Sequence, residues 1–229
     1  GLYKEALVLN KALELIGDGE RDDIVVEISN NYVLSFKTEF GRVSNLTLRQ
    51  AGGGRFFGVD ISQGRLELED CDITSQSLSC IKIHNGSDPR LRRNFIHNGK
   101  ESGILITRDS KGTLEDNEIW GNTLVGVAIS FSSDPTLRRN RIHSGKDGGV
   151  LVSNNGKGIF ENNEIWRNSK IGVTIRTGGK PTFLRNKIIN NEFEGVYIYS
   201  NGGGTFENND LRENKRGTFY IDNSSKDNV

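Results

Sequence analysis

A repeat of about 23 residues constrains this chain more than any other feature of its sequence. Asparagine marks each repeat, at Asn94, Asn117, Asn140, Asn163, Asn186 and Asn209. An apolar residue follows two positions later, at Ile96, Ile119, Ile142, Ile165, Ile188 and Leu211. Glycine, followed each time by a pair of apolar residues, recurs at Gly103, Gly126, Gly149, Gly172 and Gly195. A repeat of this length is typical of solenoid proteins.

The spacing of the apolar residues inside each repeat predicts short β-strands. The members of a pair, such as Val150 and Val152, are separated by one residue, so both side chains face the same side of a strand. Segments rich in glycine, asparagine and serine predict turns, and no segment has a helical period long enough for a helix. Because a single coil cannot bury its own apolar face, coils must stack at about 4.8 Å. We therefore predict an all-β, right-handed parallel β-helix of about ten coils of 23 residues.

The repeat predicts a single domain over residues 1–229. Regular coils are expected over 43–221, and the apolar residues Ile24, Val26 and Ile28 predict that 1–42 form irregular first coils. The polar segment 222–229 is expected to be a frayed tail. No apolar run approaches the ~20 residues needed to span a bilayer, so no membrane contact is expected.

The charged residues follow a longer period of 46 residues, or two repeats. One column of equivalent positions alternates in sign over Glu69, Arg92, Glu115, Arg138 and Glu161. The neighbouring column alternates over Asp70, Arg93, Asp116 and Arg139. In a stacked ladder, vertical neighbours then attract each other, by a few tenths of a kcal/mol per pair.

These columns limit the possible functions. The 30 basic and 30 acidic residues cancel, so the chain lacks the net positive charge that recruits nucleic acid or an anionic membrane. Nearly every carboxylate of the repeat region lies in a column with arginine or lysine. We therefore interpret these carboxylates as structural and predict no catalytic residue among them.

The units Pro135-Thr-Leu-Arg-Arg-Asn-Arg-Ile-His and Gly112-Thr-Leu-Glu-Asp-Asn-Glu-Ile-Trp resemble the paired repeats of the β-helix in the F-box only protein 11 family. More broadly, they resemble the pectin-lyase-like, or pectate-lyase-like, superfamily of carbohydrate-binding and sugar-hydrolase β-helices. The resemblance is strong over about 64–214. It implies the β-helix fold and, in the F-box family, recognition of substrate proteins for ubiquitination. The wider superfamily implies lyases, hydrolases or epimerases that act on polysaccharides.

Two sets of outward-facing side chains are candidate binding residues. The first set is a column of aromatic rings in consecutive coils, His97, Trp120, His143 and Trp166. We expect the rings either to stack for stability or to form a strip that binds a sugar or a peptide. The second set lies near the C-terminal end and contains Arg176, Tyr197, Tyr199 and Tyr220. Tyrosine and arginine are favoured anchors of interfaces, although such residues also favour strands without any binding role.

No metal or cofactor is predicted. His97 and His143 lie two coils, or about 9.6 Å, apart, which is too far to share a zinc ion. Cys71 and Cys80 are expected to be buried thiols without a catalytic role, and two unpaired cysteines favour an intracellular location.

Two functions remain open from the sequence. The first is a non-catalytic, monomeric scaffold that presents an exposed face to a protein or peptide partner. The alternative is a polysaccharide-binding or polysaccharide-active protein, which if enzymatic would be a lyase, a hydrolase or an epimerase. Neither function involves nucleic acid.

Overall fold

Each coil of the chain contributes one strand to each of three parallel sheets in the computed structural model, which describes residues 1–228. The first sheet contains Leu2–Tyr3, Val25–Ile28, Thr47–Gln50, Asp72–Ser75, Phe95–His97, Glu118–Trp120, Arg141–His143, Glu164–Trp166 and Lys187–Ile189. The second contains Leu7–Leu9, Leu34–Phe36, Val59–Ile61, Ile81–Ile83, Ile104–Ile106, Val127–Ile129, Val150–Val152, Val173–Arg176, Val196–Tyr199 and Phe219–Ile221. The third contains Glu14–Ile16, Phe40–Ser44, Arg65–Glu69, Arg90–Arg92, Thr113–Glu115, Thr136–Arg138, Ile159–Glu161, Thr182–Leu184 and Thr205–Glu207. The predicted parallel β-helix of about ten coils is confirmed.

The register between coils is regular only after the first part of the chain. From Ile81 onwards, strand partners in the second sheet are separated by one full repeat, as in the pair Ile81 and Ile104. The steps from Leu7 to Leu34 and from Leu34 to Val59 are longer than the repeat. The step from Val59 to Ile81 is shorter than the repeat. The coils at the N-terminal end therefore carry insertions and a deletion relative to the regular coils.

The core is a set of apolar columns inside the helix. Residues such as Ile119, Val150 and Ile188 are completely buried, and Phe160 stacks on Phe183 with ring centroids 4.2 Å apart. The two cysteines, Cys71 and Cys80, are also completely buried, as predicted. Burial raises the pKa of the Cys71 thiol to about 12, so this thiol remains protonated and unreactive at neutral pH.

The repeating asparagines form a hydrogen-bonded ladder at the turn between the third and first sheets. The Asn117 side-chain oxygen accepts bonds of 3.0 Å from the backbone N–H and the side-chain amide of Asn94. The Asn117 amide in turn donates to the carbonyl oxygen of Leu91 at 3.0 Å. The ladder asparagines themselves do not adopt left-handed backbone geometry. The residue before each asparagine does so, as at Arg93 with φ 50° and Asp116 with φ 58°, since the amide must stay inside the bend to bond the next coil.

A second asparagine ladder lies at the turn between the first and second sheets, and we did not predict it. Asn168, Asn191 and Asn214 follow one another at the interval of the repeat, with side-chain amide to oxygen distances of 3.0 and 2.9 Å. The glycines that recur in the sequence lie beside this ladder. A Cβ built on Gly149 would lie 2.4 Å from a methyl carbon of Ile165, so close packing requires glycine there.

The alternating charge columns form the predicted ion pairs. Arg93 and Asp70 are bridged at 2.8 Å, and so are Arg139 and Asp116. Glu115 is largely buried between Arg90 and Arg92, at 3.2 and 3.3 Å. Vertical neighbours of opposite sign therefore align the coils.

Both ends of the solenoid expose apolar side chains, including Leu2, Ile16 and Phe219. The polar tail, which the sequence predicts to be frayed, forms a backbone hydrogen bond to a regular coil. Lys226–Asn228 form a short 3-10 turn, and the carbonyl oxygen of Asn228 accepts a 2.9 Å hydrogen bond from the Gly204 N–H. The last residue of the predicted tail, Val229, lies outside the described residues. Over 1–228, no helix has the length and apolar character to cross a membrane.

Candidate functional site

The aromatic column lies on the outer surface of the first sheet, and its rings stack on one another. His97 and Trp120 are nearly parallel with centroids 4.2 Å apart, and His143 and Trp166 repeat this arrangement at 4.3 Å. The gap between Trp120 and His143 is wider, at 6.3 Å. The column is thus a series of histidine–tryptophan pairs with the same double-coil period as the charges.

This stacking covers the ring faces on which a sugar would bind. The Nε2 atoms of both histidines also have partners. Nε2 of His97 lies 3.1 Å from a carboxylate oxygen of Asp72, and Nε2 of His143 lies 3.1 Å from one of Glu118. The geometry supports a structural role for the aromatic column, which was one of the two alternatives predicted.

The second predicted set does come together. Tyr197 stacks on Tyr220 at 4.6 Å, and Tyr199 meets Tyr197 edge to face at 5.3 Å. Arg176 lies 3.2 Å from the Tyr199 hydroxyl. We call these four residues the tyrosine–arginine group. It lies on the second sheet, so it does not share a site with the aromatic column on the first sheet.

A third group lies on the same outward face of the second sheet, nearer the N-terminal end. Nε2 of His84 is 3.1 Å from a carboxylate oxygen of Asp60, and both side chains are about nine-tenths buried. Lys82 is the strand neighbour of Asp60 in the next coil. We call Asp60, Lys82 and His84 the acid–base group.

An aromatic wall of Tyr32, Phe56 and Phe57 stands beside the acid–base group. Tyr32 packs edge to face on Phe56 at 5.2 Å and parallel to Phe57 at 6.3 Å. The Lys82 ammonium lies 4.7 Å from the centre of the Phe57 ring. Burial, together with the nearby Asp60 carboxylate, raises the pKa of Tyr32, so its phenol stays protonated at neutral pH. The wall shields one side of the group from water.

His84 differs from the other two histidines of the chain in one respect. Nδ1 of His97 lies 2.9 Å from the Asn98 amide, and Nδ1 of His143 lies 3.1 Å from the Ser144 hydroxyl. Nδ1 of His84 is buried and has no partner among the described residues. Leaving a buried polar atom unpaired costs about 1–3 kcal/mol, so such an atom calls for an explanation.

The arrangement is suited to proton transfer. A carboxylate at Nε2 holds the imidazole in the tautomer that is protonated there, and Nδ1 then carries the free lone pair. The Lys82 ammonium can stabilise negative charge that develops on a substrate. No cluster of three or more His, Cys, Asp or Glu side chains in the described part of the chain could hold a metal ion.

Sequence analysis did not identify the acid–base group. The step between the two coils of this group, from Val59 to Ile81, is one residue shorter than the repeat. A strict repeat pairs Lys82 with Val59 and Asp60 with Ile83, which faces the core. Because of this shorter step, the repeat did not predict that Asp60 lies beside Lys82 and His84.

Comparison with known proteins supports the fold. The family described as "Right handed beta helix region" matches residues 32–157 and 125–229. No curated protein matches the sequence.

Several solved structures are similar at low sequence identity. The mannuronan C-5 epimerase AlgE6 A-module of Azotobacter vinelandii is 13% identical with a TM-score of 0.61, over 95% of this chain and 90% of that one. ORF18 of Geobacillus virus E2 is 12% identical with a TM-score of 0.59, over 97% and 52%. The pectate lyase Pel9A is 12% identical with a TM-score of 0.54, over 90% and 59%. At these identities the likeness shows a shared fold.

Proposed function

Because the chain belongs to the right-handed β-helix family, whose fold it shares with polysaccharide epimerases and a pectate lyase, we propose that it acts on an acidic polysaccharide. The site is the outward face of the second sheet at Asp60, Lys82 and His84. The observation that carries the proposal is the buried His84–Asp60 pair with its free Nδ1.

The chemistry is removal of a proton from the carbon next to a uronate carboxylate. His84 takes the proton at Nδ1, which is buried in the free chain and becomes accessible by a side-chain movement when the polymer binds, while Asp60 stabilises the imidazolium through Nε2. The electron pair of the broken C–H bond moves into the carboxylate, and Lys82 stabilises the extra charge. For epimerisation, a water molecule returns a proton to the other face of the carbon and His84 releases its proton to the solvent. For elimination, the electron pair forms a double bond to the neighbouring carbon, and the glycosidic oxygen leaves that carbon with the proton held by His84, which gives an unsaturated end.

The test is incubation of the purified chain with polymannuronate and with polygalacturonate in deuterated water. Proton NMR would detect exchange or epimerisation at the carbon next to the carboxylate, and ultraviolet absorbance would detect unsaturated ends. The His84→Gln variant should lose activity by about 100-fold or more.

A matched control is His143→Gln. His143 has the same Nε2-to-carboxylate contact, 3.1 Å from Glu118, but lies on the first sheet in the aromatic column. This variant should retain activity. Equal activity in the two variants, or no reaction of either polymer with the unmodified chain, would contradict the proposal.

A second candidate function is capture of a protein or peptide partner, which the resemblance to the F-box only protein 11 family implies. The exposed Tyr220, stacked on Tyr197 beside Arg176, favours it, because such residues anchor interfaces. A partner identified by co-purification and reconstituted from purified protein should lose binding to a Tyr197→Ala/Tyr199→Ala variant. Unchanged affinity would remove the tyrosine–arginine group from this role.

A further inference from the structure

The ammonium of Lys82 does not pair with the carboxylate that it faces. Lys82 and Asp60 are direct strand partners in adjacent coils of the second sheet. Because adjacent strands lie about 4.8 Å apart, the four-carbon side chain of lysine is long enough to reach that carboxylate. Over residues 1–228, the Lys82 ammonium nevertheless forms no ion pair with Asp60 or with any other carboxylate.

Two basic residues in the same situation on the first sheet do form ion pairs. Lys187 and Glu164 are strand partners, and the ammonium lies 2.9 Å from the carboxylate. Arg141 and Glu118 are also strand partners, and their charged groups lie 3.3 Å apart. The parallel ladder therefore favours pairing of opposite charges between adjacent coils, so a specific contact must prevent it at Lys82.

The contact that competes for the ammonium is the ring of Phe57. The Lys82 ammonium lies 4.7 Å from the ring centre, within the distance of about 6 Å at which an aromatic ring attracts a cation. Phe57 is only 8% exposed and Lys82 is half-buried, so little water weakens the attraction. A cation–π contact that is shielded from water is at least as strong as an exposed ion pair. The ring can therefore hold the ammonium away from Asp60.

The position of the Phe57 ring is set by the fold. Tyr32 lies parallel to it, with centroids 6.3 Å apart. The backbone N–H of the preceding residue, Phe56, donates a hydrogen bond of 3.2 Å to the hydroxyl of Ser77. The carbonyl oxygen of Phe56 accepts one of 3.2 Å from the N–H of Leu78. The next coil thus fixes the inserted loop, and the ring is in place before any ligand binds.

An ammonium held on the ring has two effects on the acid–base group. The Asp60 carboxylate remains the partner of His84, 3.1 Å away, without being shared with a cation. The positive charge of Lys82 is not neutralised, so it is available to an acidic ligand. Closure of Lys82 onto Asp60 would remove both effects, because the shared carboxylate would accept a weaker hydrogen bond from His84 and the cation would be neutralised.

Building on the proposed function, we propose that Phe57 is a positioning residue whose ring holds the Lys82 ammonium away from Asp60 and available to the substrate carboxylate. Phe57 contacts no reacting atom and acts through Lys82. Removal of the ring should therefore affect the acid–base group only while Lys82 is present.

The first experiment is proton NMR of the full chain without any ligand. The ε-methylene protons of Lys82 should resonate upfield of ordinary lysine values, because an aromatic ring shields protons above its face. Ordinary values in the unmodified chain would overturn the inference before any variant is made. The Phe57→Tyr variant retains an aromatic ring and should retain the upfield shift.

The resonance of the His84 Nε2 proton then tests whether Phe57 acts through Lys82. In Phe57→Leu this resonance should move upfield, because Lys82 closes onto Asp60 and weakens the hydrogen bond from His84. In a Lys82→Met background the same substitution should move it much less. A change of equal size in the two backgrounds would mean that the ring acts directly on His84, and it would overturn the inference.

Turnover of polymannuronate or polygalacturonate gives a second readout of the same four proteins. Lys82→Met should lower kcat by about 100-fold, as removal of a charge-stabilising group does. Phe57→Leu should lower kcat by about tenfold or more, and the double variant should be no slower than Lys82→Met. Losses that multiply in the double variant would overturn the inference.

Phe193→Leu is the matched control, since Phe193 also binds a cation, the guanidinium of Arg216 at 3.6 Å, but lies in the last coils of the solenoid. It should change neither readout. If the NMR results are as expected but the unmodified chain turns over neither polymer, the proposed function fails and the role of Phe57 towards Lys82 is supported. Turnover by the unmodified chain with equal NMR changes in both backgrounds would overturn this inference alone.

Discussion

At the scale of single residues, polar side chains inside the bends hold the coils together. Asn140 is completely buried, and its amide donates to the carbonyl oxygen of Leu114 at 2.9 Å. Its oxygen accepts two bonds from Asn117, one from the backbone and one from the side chain. Each ladder asparagine therefore satisfies backbone and side-chain groups of the preceding coil.

Replacing Asn140 with alanine should lower the free energy of unfolding by about 1–3 kcal/mol, because the groups it bonds stay buried and unpaired. Chemical denaturation at neutral pH measures this loss. Asn223→Ala, at an exposed position in the tail, is the control and should have little effect. Equal stability of the two variants would show that the ladder is dispensable.

The charge columns give stability a defined pH dependence. The hydrogen bond from Arg139 lowers the pKa of Asp116. Burial alone would raise the pKa of Glu115, but hydrogen bonds from Arg90 and Arg92 outweigh it and lower that pKa too. A carboxylate with a lowered pKa in the folded state stabilises the fold above its unfolded-state pKa, and this contribution disappears as pH falls through the folded value.

The melting temperature should therefore be nearly constant from neutral pH down to about pH 5 and fall below about pH 4. Arg139→Gln should melt lower than the unmodified chain at neutral pH, and the two should converge in acid. Differential scanning calorimetry across this range measures both curves. A constant difference between them at every pH would exclude the Asp116 pair as its source.

At the scale of elements, the aromatic column and the exposed turn residue Phe131 place aromatic rings in opposite situations. Trp120 contacts His97 on one face and Phe95 at its edge, 5.7 Å away. Phe131 contacts no other aromatic ring among the described residues and is exposed. Rings of the first kind should stabilise the fold, and rings of the second kind should bind.

Trp120→Ala should lower the free energy of unfolding by about 1–3 kcal/mol and leave oligosaccharide affinity unchanged. The Phe131→Asn variant is predicted instead to lower oligosaccharide affinity without lowering the free energy of unfolding. Denaturation and calorimetry on both variants test the contrast. A loss of affinity in Trp120→Ala without a loss of stability would assign the aromatic column to binding.

The elements also show what the sequence can predict. Strands, turns and ion pairs of the regular coils follow from the repeat because every equivalent position has the same neighbours. The position of Asp60 beside Lys82 could not be predicted because the step between their coils is one residue shorter than the repeat. The tyrosine–arginine group could be predicted since it lies in regular coils, whereas the aromatic wall arises from inserted loops whose course depends on tertiary packing.

At the scale of the whole molecule, the 46-residue period of the charges predicts that coils can be deleted only in pairs if opposite charges are to remain stacked. Deleting residues 93–115 would place Arg92 beside Arg138 and Asp70 beside Asp116, so like charges would be stacked. Deleting 93–138 would instead place Arg92 beside Glu161 and Asp70 beside Arg139.

The longer deletion should therefore give the more stable protein, although it removes more core. Thermal melting of the two purified deletion variants at low salt shows which is more stable, and high salt should reduce the difference between their melting temperatures. A higher melting temperature for the shorter deletion would mean that the charge columns do not determine register.

The uniform stacking of coils also determines how the molecule would respond to force. Each regular coil is bonded mainly to the coil on either side of it. Tension applied to the two ends would peel coils from an open end one at a time, and each would release one repeat, or about 80 Å of extended chain. The protein would then lengthen in nearly equal steps, as a molecular spring that yields turn by turn.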